Sequence, residues 1–145
     1  MNANSLKFAA VILLSILPSA NARPAAKAAK SNWFHSRRDA LAQARKTGKP
    51  ILVDVNTSWC GPCQMMKHEV FQKPSFAKEA ARWILLDLDG DAHAELAGFY
   101  GVQGFPTLLA LNSHGKVVTR QTGYGGPAAT LQFLNRAYAK AKSKS

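Results

Sequence analysis

The chain holds two cysteines in 145 residues, three positions apart in Ser58-Trp59-Cys60-Gly61-Pro62-Cys63. Two thiols at that spacing suit a redox pair, half of a metal site, or chance. Their setting favours redox chemistry. Ile51 to Val55 is an apolar run suited to a strand buried on both faces, and a helical pattern follows the motif. With Cys60 opening that helix, its sulfur would face unpaired backbone N–H groups and the positive end of the helix dipole. Both favour thiolate over thiol, which makes Cys60 the expected nucleophile. Cys63, one turn further in, is expected to be more enclosed and placed to attack a mixed disulfide formed at Cys60. Gly61 keeps the approach open, and Pro62 suits a first helical turn, where its missing N–H costs nothing.

Other chemistries fit less well. A zinc site needs further ligands, but there is no second cysteine pair, and His68 is off the helical face that Cys63 would occupy. Haem attachment requires a histidine directly after the second cysteine, where Gln64 stands. Asp87-Leu88-Asp89-Gly90-Asp91 hints at a calcium loop, but its glycine falls too early and no glutamate closes it, so a solvated turn is expected. The four histidines are scattered and receive no role. Neither a metal nor a cofactor is expected.

The elements that must position the pair follow from local signals. Ser36 with Asp39 resembles a capping box for a helix through Leu41 and Ala44, stopped by Gly48 and Pro50. After the cysteines, Met65, Met66, Val70 and Phe71 mark the inner face of a helix that Pro74 breaks or kinks, with Phe76, Ala77 and Ala80 continuing the pattern. Trp83 to Leu88 reads as a second buried strand and Ala92 to Tyr100 as a short helix. Thr107–Leu111 and Lys116–Arg120 flank the turn Asn112-Ser113-His114-Gly115 as a hairpin. A last helix starts at Gly125-Gly126-Pro127 and runs to about Ala141. Strands alternating with helices, then a hairpin, predict an α/β fold: a mixed central sheet flanked by helices on both faces.

Length allows one domain at most. Its N-terminus looks like a targeting segment. Lys7 precedes the apolar run Phe8–Leu17, and Ser19-Ala20-Asn21-Ala22 ends in the small-x-small pattern of a signal-peptidase site. The run covers only about half of the roughly 20 residues a membrane-spanning helix needs. The expected organisation is a signal peptide over 1–22 cut after Ala22, a flexible leader over 23–31, a domain over 32–141 and a basic tail over 142–145. Such a protein is periplasmic or secreted. Small exported domains often use disulfides as staples, but a bridge across three positions closes too short a loop to restrain the unfolded chain much. The pair therefore points to chemistry rather than architecture.

The formal net charge is +11, of which the signal segment carries only Lys7. The lysines are spread along the chain, with a small cluster at Lys140, Lys142 and Lys144. No basic run interleaved with aromatics suggests a nucleic-acid groove. A basic exported protein can favour acidic partners or an anionic membrane surface; a solvated face that aids solubility is the preferred reading.

The motif W-C-G-P-C resembles the active site of the thioredoxin family, and the resemblance extends over roughly Trp33 to Tyr138. It implies a thioredoxin fold with Cys60 as attacking and Cys63 as resolving thiol. Asp54, six positions before Cys60, matches the family's buried acid; it would pass a proton to or from Cys63 through water. Within I-L-V-D-V its pKa would be raised by desolvation. Phe105-Pro106-Thr107 matches the loop carrying a cis-proline, which would bring the Phe105 backbone against an extended substrate. Trp59 would form an apolar rim beside Cys60. On the residues alone the plainer readings stay open: Asp54 as a strand-end carboxylate reaching water, Pro106 as a trans turn proline and Trp59 as a packing residue.

Two positions depart from the pattern. Leu85 stands where many members have a lysine near the buried acid, which would leave Asp54 harder to ionise, and Gln64 replaces a frequent lysine after the second cysteine. The helix leading into K-P-I-L-V-D looks most like exported members, including the C-terminal domains of transmembrane disulfide reductases. The resemblance thus implies a monomeric exported thiol–disulfide oxidoreductase. It would act on disulfide-containing exported proteins in the reducing direction, supplied by a membrane electron donor. The rivals are a disulfide oxidase or isomerase, and a non-catalytic binding module.

Overall fold

The computed structural model describes residues 31–145, so the expected signal peptide over 1–22 and residues 23–30 of the expected leader lie outside the described residues. In chain order the elements are β1 (Trp33–Phe34), α1 (Arg37–Thr47), β2 (Ile51–Asn56), α2 (Gly61–Met66) with a π-helical turn (Lys67–Phe71), α3 (Pro74–Ala80), β3 (Ile84–Asp89), α4 (Ala94–Phe99), β4 (Thr107–Leu111), β5 (Val117–Thr122) and α5 (Pro127–Ser143). Every expected strand and helix forms. Strand β1 was not legible, because two residues are too few to show an alternation; it pairs parallel with β3, Trp33 opposite Leu85. The helix after the cysteines widens into the π turn before Pro74 opens α3, so Pro74 starts a new helix rather than kinking one.

The local signals act as their chemistry predicts. The Ser36 hydroxyl accepts from the Asp39 N–H at 3.3 Å, and Gly48, at φ 66°, ends α1 with its N–H on the Ala44 carbonyl. The return half of the box gives way to a surface pair, Asp39 Oδ1 accepting from Arg38 Nε at 3.3 Å. The Asn112 side chain holds the β4–β5 turn by accepting from the His114 and Lys116 N–H groups.

The sheet order is β1-β3-β2-β4-β5, with β1, β3 and β2 parallel and β4 antiparallel to both β2 and β5. Side chains alternate across it with period two. Ile51, Val53 and Val55 of β2 face Ala40 and Ala44 of α1 and Ala97 of α4. Leu52 faces the other layer, where Met66, Phe71 and Phe76 meet Phe133 and Leu134 of α5. Full burial of such a side chain stabilises by about 1.5–3 kcal/mol. The same alternation puts Asp54 on the Leu52 face, under the helix that carries the cysteines. Met65, expected on the inner face, is half exposed, because the helix presents Cys63, Met66 and Val70 inward instead.

Candidate active site

Strand β2 ends at Asn56, and a turn closed by the Cys60 N–H on the Thr57 carbonyl (3.3 Å) delivers Cys60 to the N-cap of α2. Its Sγ accepts from the Cys63 N–H at 3.2 Å, so the first free amide of the helix points at the sulfur. Cys60 and Cys63 are joined as a disulfide with Cα atoms 5.3 Å apart. Both are buried, and in this state Cys63 is scarcely more enclosed than Cys60. Gly61 and Pro62 are exposed, and a side-chain carbon added at Gly61 would meet nothing within 4 Å. Opening the disulfide would leave a sulfur at residue 60 facing an N–H donor and a dipole terminus, the setting that stabilises a thiolate.

Asp54 is buried, and its neighbours are set by strand pairing. It stands in register with Asp87 of β3 on one side and with apolar Leu108 of β4 on the other. The Asn56 side-chain amide donates to Asp54 Oδ2 at 3.1 Å and to Asp87 Oδ1 at 2.7 Å, bridging the two carboxylates. Asp54 Oδ1 is buried with no hydrogen-bond partner among the described residues. Burial above all, and then the charge of Asp87, push the Asp54 carboxyl up to about 7, against the pull of Lys67 and the Asn56 hydrogen bond. Leu85 pairs with Leu52 rather than with Asp54 and belongs to the core. A cation is nevertheless at hand: Lys67, first residue of the π turn, lines the same cavity as Asp54.

Trp59 projects into solvent, 69% exposed, with its indole N–H donating to Asp91 Oδ2 at 2.8 Å. Its ring meets that of Phe105 edge to face, centroids 5.9 Å apart. The Phe105–Pro106 peptide is cis and Pro106 is buried. Gly90 backs this cluster, since a Cβ there would fall 2.5 Å from Phe105 Cε1. The structure thus joins Cys60 to Cys63 and Trp59 to Phe105, with Asp54 beneath the cysteine helix.

Of four neighbours of the site, Asn56 and Lys67 were not singled out from the sequence, and Asp87 and Asp91 only as part of an acidic turn. The alternation Leu52-Asp54-Asn56 and Leu85-Asp87 carried a signal for two of them. Asp87 lies in β3, as the expected strand over Trp83–Leu88 has it, and the turn that follows is held by Asp89 Oδ1, which accepts from the Asp91 and Ala92 N–H groups.

Residues 37–138 match the family model of the thioredoxin-like domain. The thiol:disulfide interchange protein DsbD of Yersinia pestis is 34% identical over 108 residues, covering 70% of this chain but only 18% of its own length. A thioredoxin-like protein of Synechocystis is 36% identical over 86 residues, covering 59% of this chain and 79% of its own. Among solved structures, a DsbH oxidoreductase aligns with a TM-score of 0.67 at 26% identity, covering 77% of this chain and 86% of its own. A thioredoxin from Thermus thermophilus aligns at 0.68 with 27% identity, covering 77% and 90%.

Proposed function

Because the chain belongs to the thioredoxin-like family of thiol–disulfide oxidoreductases, we propose that it is an exported protein-disulfide reductase acting through Cys60 and Cys63. The observation that carries this reading is the disulfide at a helix N-terminus, in a layer that also holds a buried carboxyl poised near neutral pH.

In the reduced state the Cys60 thiolate attacks one sulfur of a substrate disulfide. The Cys60–substrate bond forms, the substrate S–S bond breaks, and the leaving thiolate takes a proton. Cys63 passes its thiol proton through water to the Asp54 carboxylate. The resulting Cys63 thiolate attacks Cys60 Sγ and expels the second substrate thiolate, which also takes up a proton. The substrate gains two electrons, and the Cys60–Cys63 pair is left oxidised. Trp59 and Phe105 form the apolar rim on which an extended substrate segment rests, with Gly61 and Pro62 keeping the approach to Cys60 low.

The reducing direction is supported by the Gly-Pro dipeptide between the cysteines, which resembles reducing members. Export is supported by the signal-like segment before Arg23 and by the similarity to DsbD. A reductase in an oxidising compartment needs a dithiol donor, and a membrane protein passing electrons from the cytosol supplies that need. The protein acts as a monomer on disulfides of other exported proteins.

The deciding measurement is the reduction potential of the pair against glutathione at pH 7, on the chain freed of residues 1–22. A value near −270 mV, about that of thioredoxin, is expected. A value near −120 mV, about that of a strong oxidant, would overturn the direction and point to disulfide donation. Replacing both cysteines by serine separates chemistry from a binding module, which would keep its function.

A further inference from the structure

Asp54 opens onto a cavity of about 600 Å³ that the disulfide chemistry leaves unexplained. Its walls come from separate elements: Trp33 and His35 from β1 and the turn after it, Lys67 and Phe71 from the π turn, and Asp87 from β3. Asn56 cannot itself carry a proton between Asp54 and Asp87, because its amide nitrogen is donor only and points at both carboxylates. It locks their separation instead. Water is the carrier left on this side of Asp54, and a cavity of this size with a partly polar wall has room for it. The unpartnered Asp54 Oδ1 is the atom in need of such a partner.

The charges around the cavity are few and of opposed sign. Asp87 is partly exposed, and its Oδ2 lies 3.7 Å from Nδ1 of the exposed His35. Lys67 of the π turn and Lys73 before α3 line the same cavity, and the β4 residue paired with Asp54 is apolar Leu108. Lys67 stands one turn after Cys63, its backbone N–H on the Cys63 carbonyl, and so shares that cysteine's side of the helix.

We propose that Asp87 and Lys67 are positioning residues for the proton step, acting on Asp54 across this cavity in opposite senses: Asp87 keeps the proton on Asp54 and Lys67 draws it off. This rests on the reading of Asp54 as the proton partner of Cys63.

The test is the NMR titration of the Asp54 carboxyl carbon in the oxidised chain. Asp87→Asn lowers the Asp54 midpoint and Lys67→Gln raises it, each by at least a threefold change in proton affinity, about half a pH unit. Lys67→Arg keeps the wild-type midpoint. High salt shrinks the Lys67 effect, because that side chain is exposed. Midpoints that stay put, or that move the same way in both variants, would overturn the proposal, since mere loosening of the fold has no charge sign. Disulfide reduction assayed alongside separates the two readings. Normal reduction with unmoved midpoints removes the positioning role alone, whereas absent reduction with midpoints moving as stated removes the reductase and leaves the electrostatic arrangement standing.

Discussion

Asp54 and Asp87 stand opposite each other on adjacent parallel strands, with the Asn56 amide bridging them. Burial disfavours the charged form of Asp54, and the charge of Asp87 across the strand pair adds to the effect. The more buried Asp54 is pushed up to about 7.

This carries a consequence for stability. The folded state holds the Asp54 proton more tightly than the unfolded chain, where the value is 3.8. The resulting stabilisation is fully present below about pH 4 and is lost as pH rises through about 7, on the order of 4 kcal/mol in all. Asp54→Asn has no such proton to lose. Urea midpoints of the two oxidised proteins should diverge between pH 4 and 7, with the variant the more stable above pH 7. Parallel profiles would mean that Asp54 ionises freely in the fold.

The two cysteines should behave unequally. Cys60, whose sulfur receives the Cys63 N–H at the helix N-terminus, is the proposed attacking thiol. Cys63→Ser should therefore accumulate a mixed disulfide with a substrate, visible as a reducible adduct by mass spectrometry. Cys60→Ser should give none under the same conditions. The reverse pattern would exchange their roles.

Trp59 is exposed and tied down by one indole hydrogen bond to Asp91. Trp59→Ala should cost less than about 1 kcal/mol of folding stability, since little apolar surface is lost from the core. As a rim residue it should instead raise KM for a protein disulfide by about five- to thirty-fold, the equivalent of 1–2 kcal/mol for an aromatic anchor. Unchanged kinetics would reduce Trp59 to a surface residue.

Gly90 lies against the Phe105 ring with no room for a side chain. Gly90→Ala must displace that ring, at a cost of about 1–3 kcal/mol. The edge-to-face contact with Trp59 should loosen with it. Urea unfolding and near-UV circular dichroism would register both; an unchanged aromatic spectrum would show that the cluster adapts elsewhere.

Features that depend on near neighbours could be read from the residues. Ser36 and Gly48 bound α1, Asn112 and Gly115 place the hairpin turn, and apolar runs mark β2 and β3, because caps, turns and alternation act within a few residues. The chemistry of Cys60 and Cys63 was legible for the same reason: three positions at a strand–helix junction place both sulfurs without help from the rest of the chain. The surroundings of Asp54 were not. Asn56 and Asp87 meet across 31 residues and Trp59 and Asp91 across 32, through a strand register that no local signal encodes. Lys67, one turn after Cys63, shares that cysteine's side of the helix, but which carboxyl that side covers is decided by how the helix packs on the sheet. Only the packed sheet and its covering helix decide which charges a buried carboxyl sees, because electrostatics in a low-dielectric interior depends on distance in space rather than along the chain.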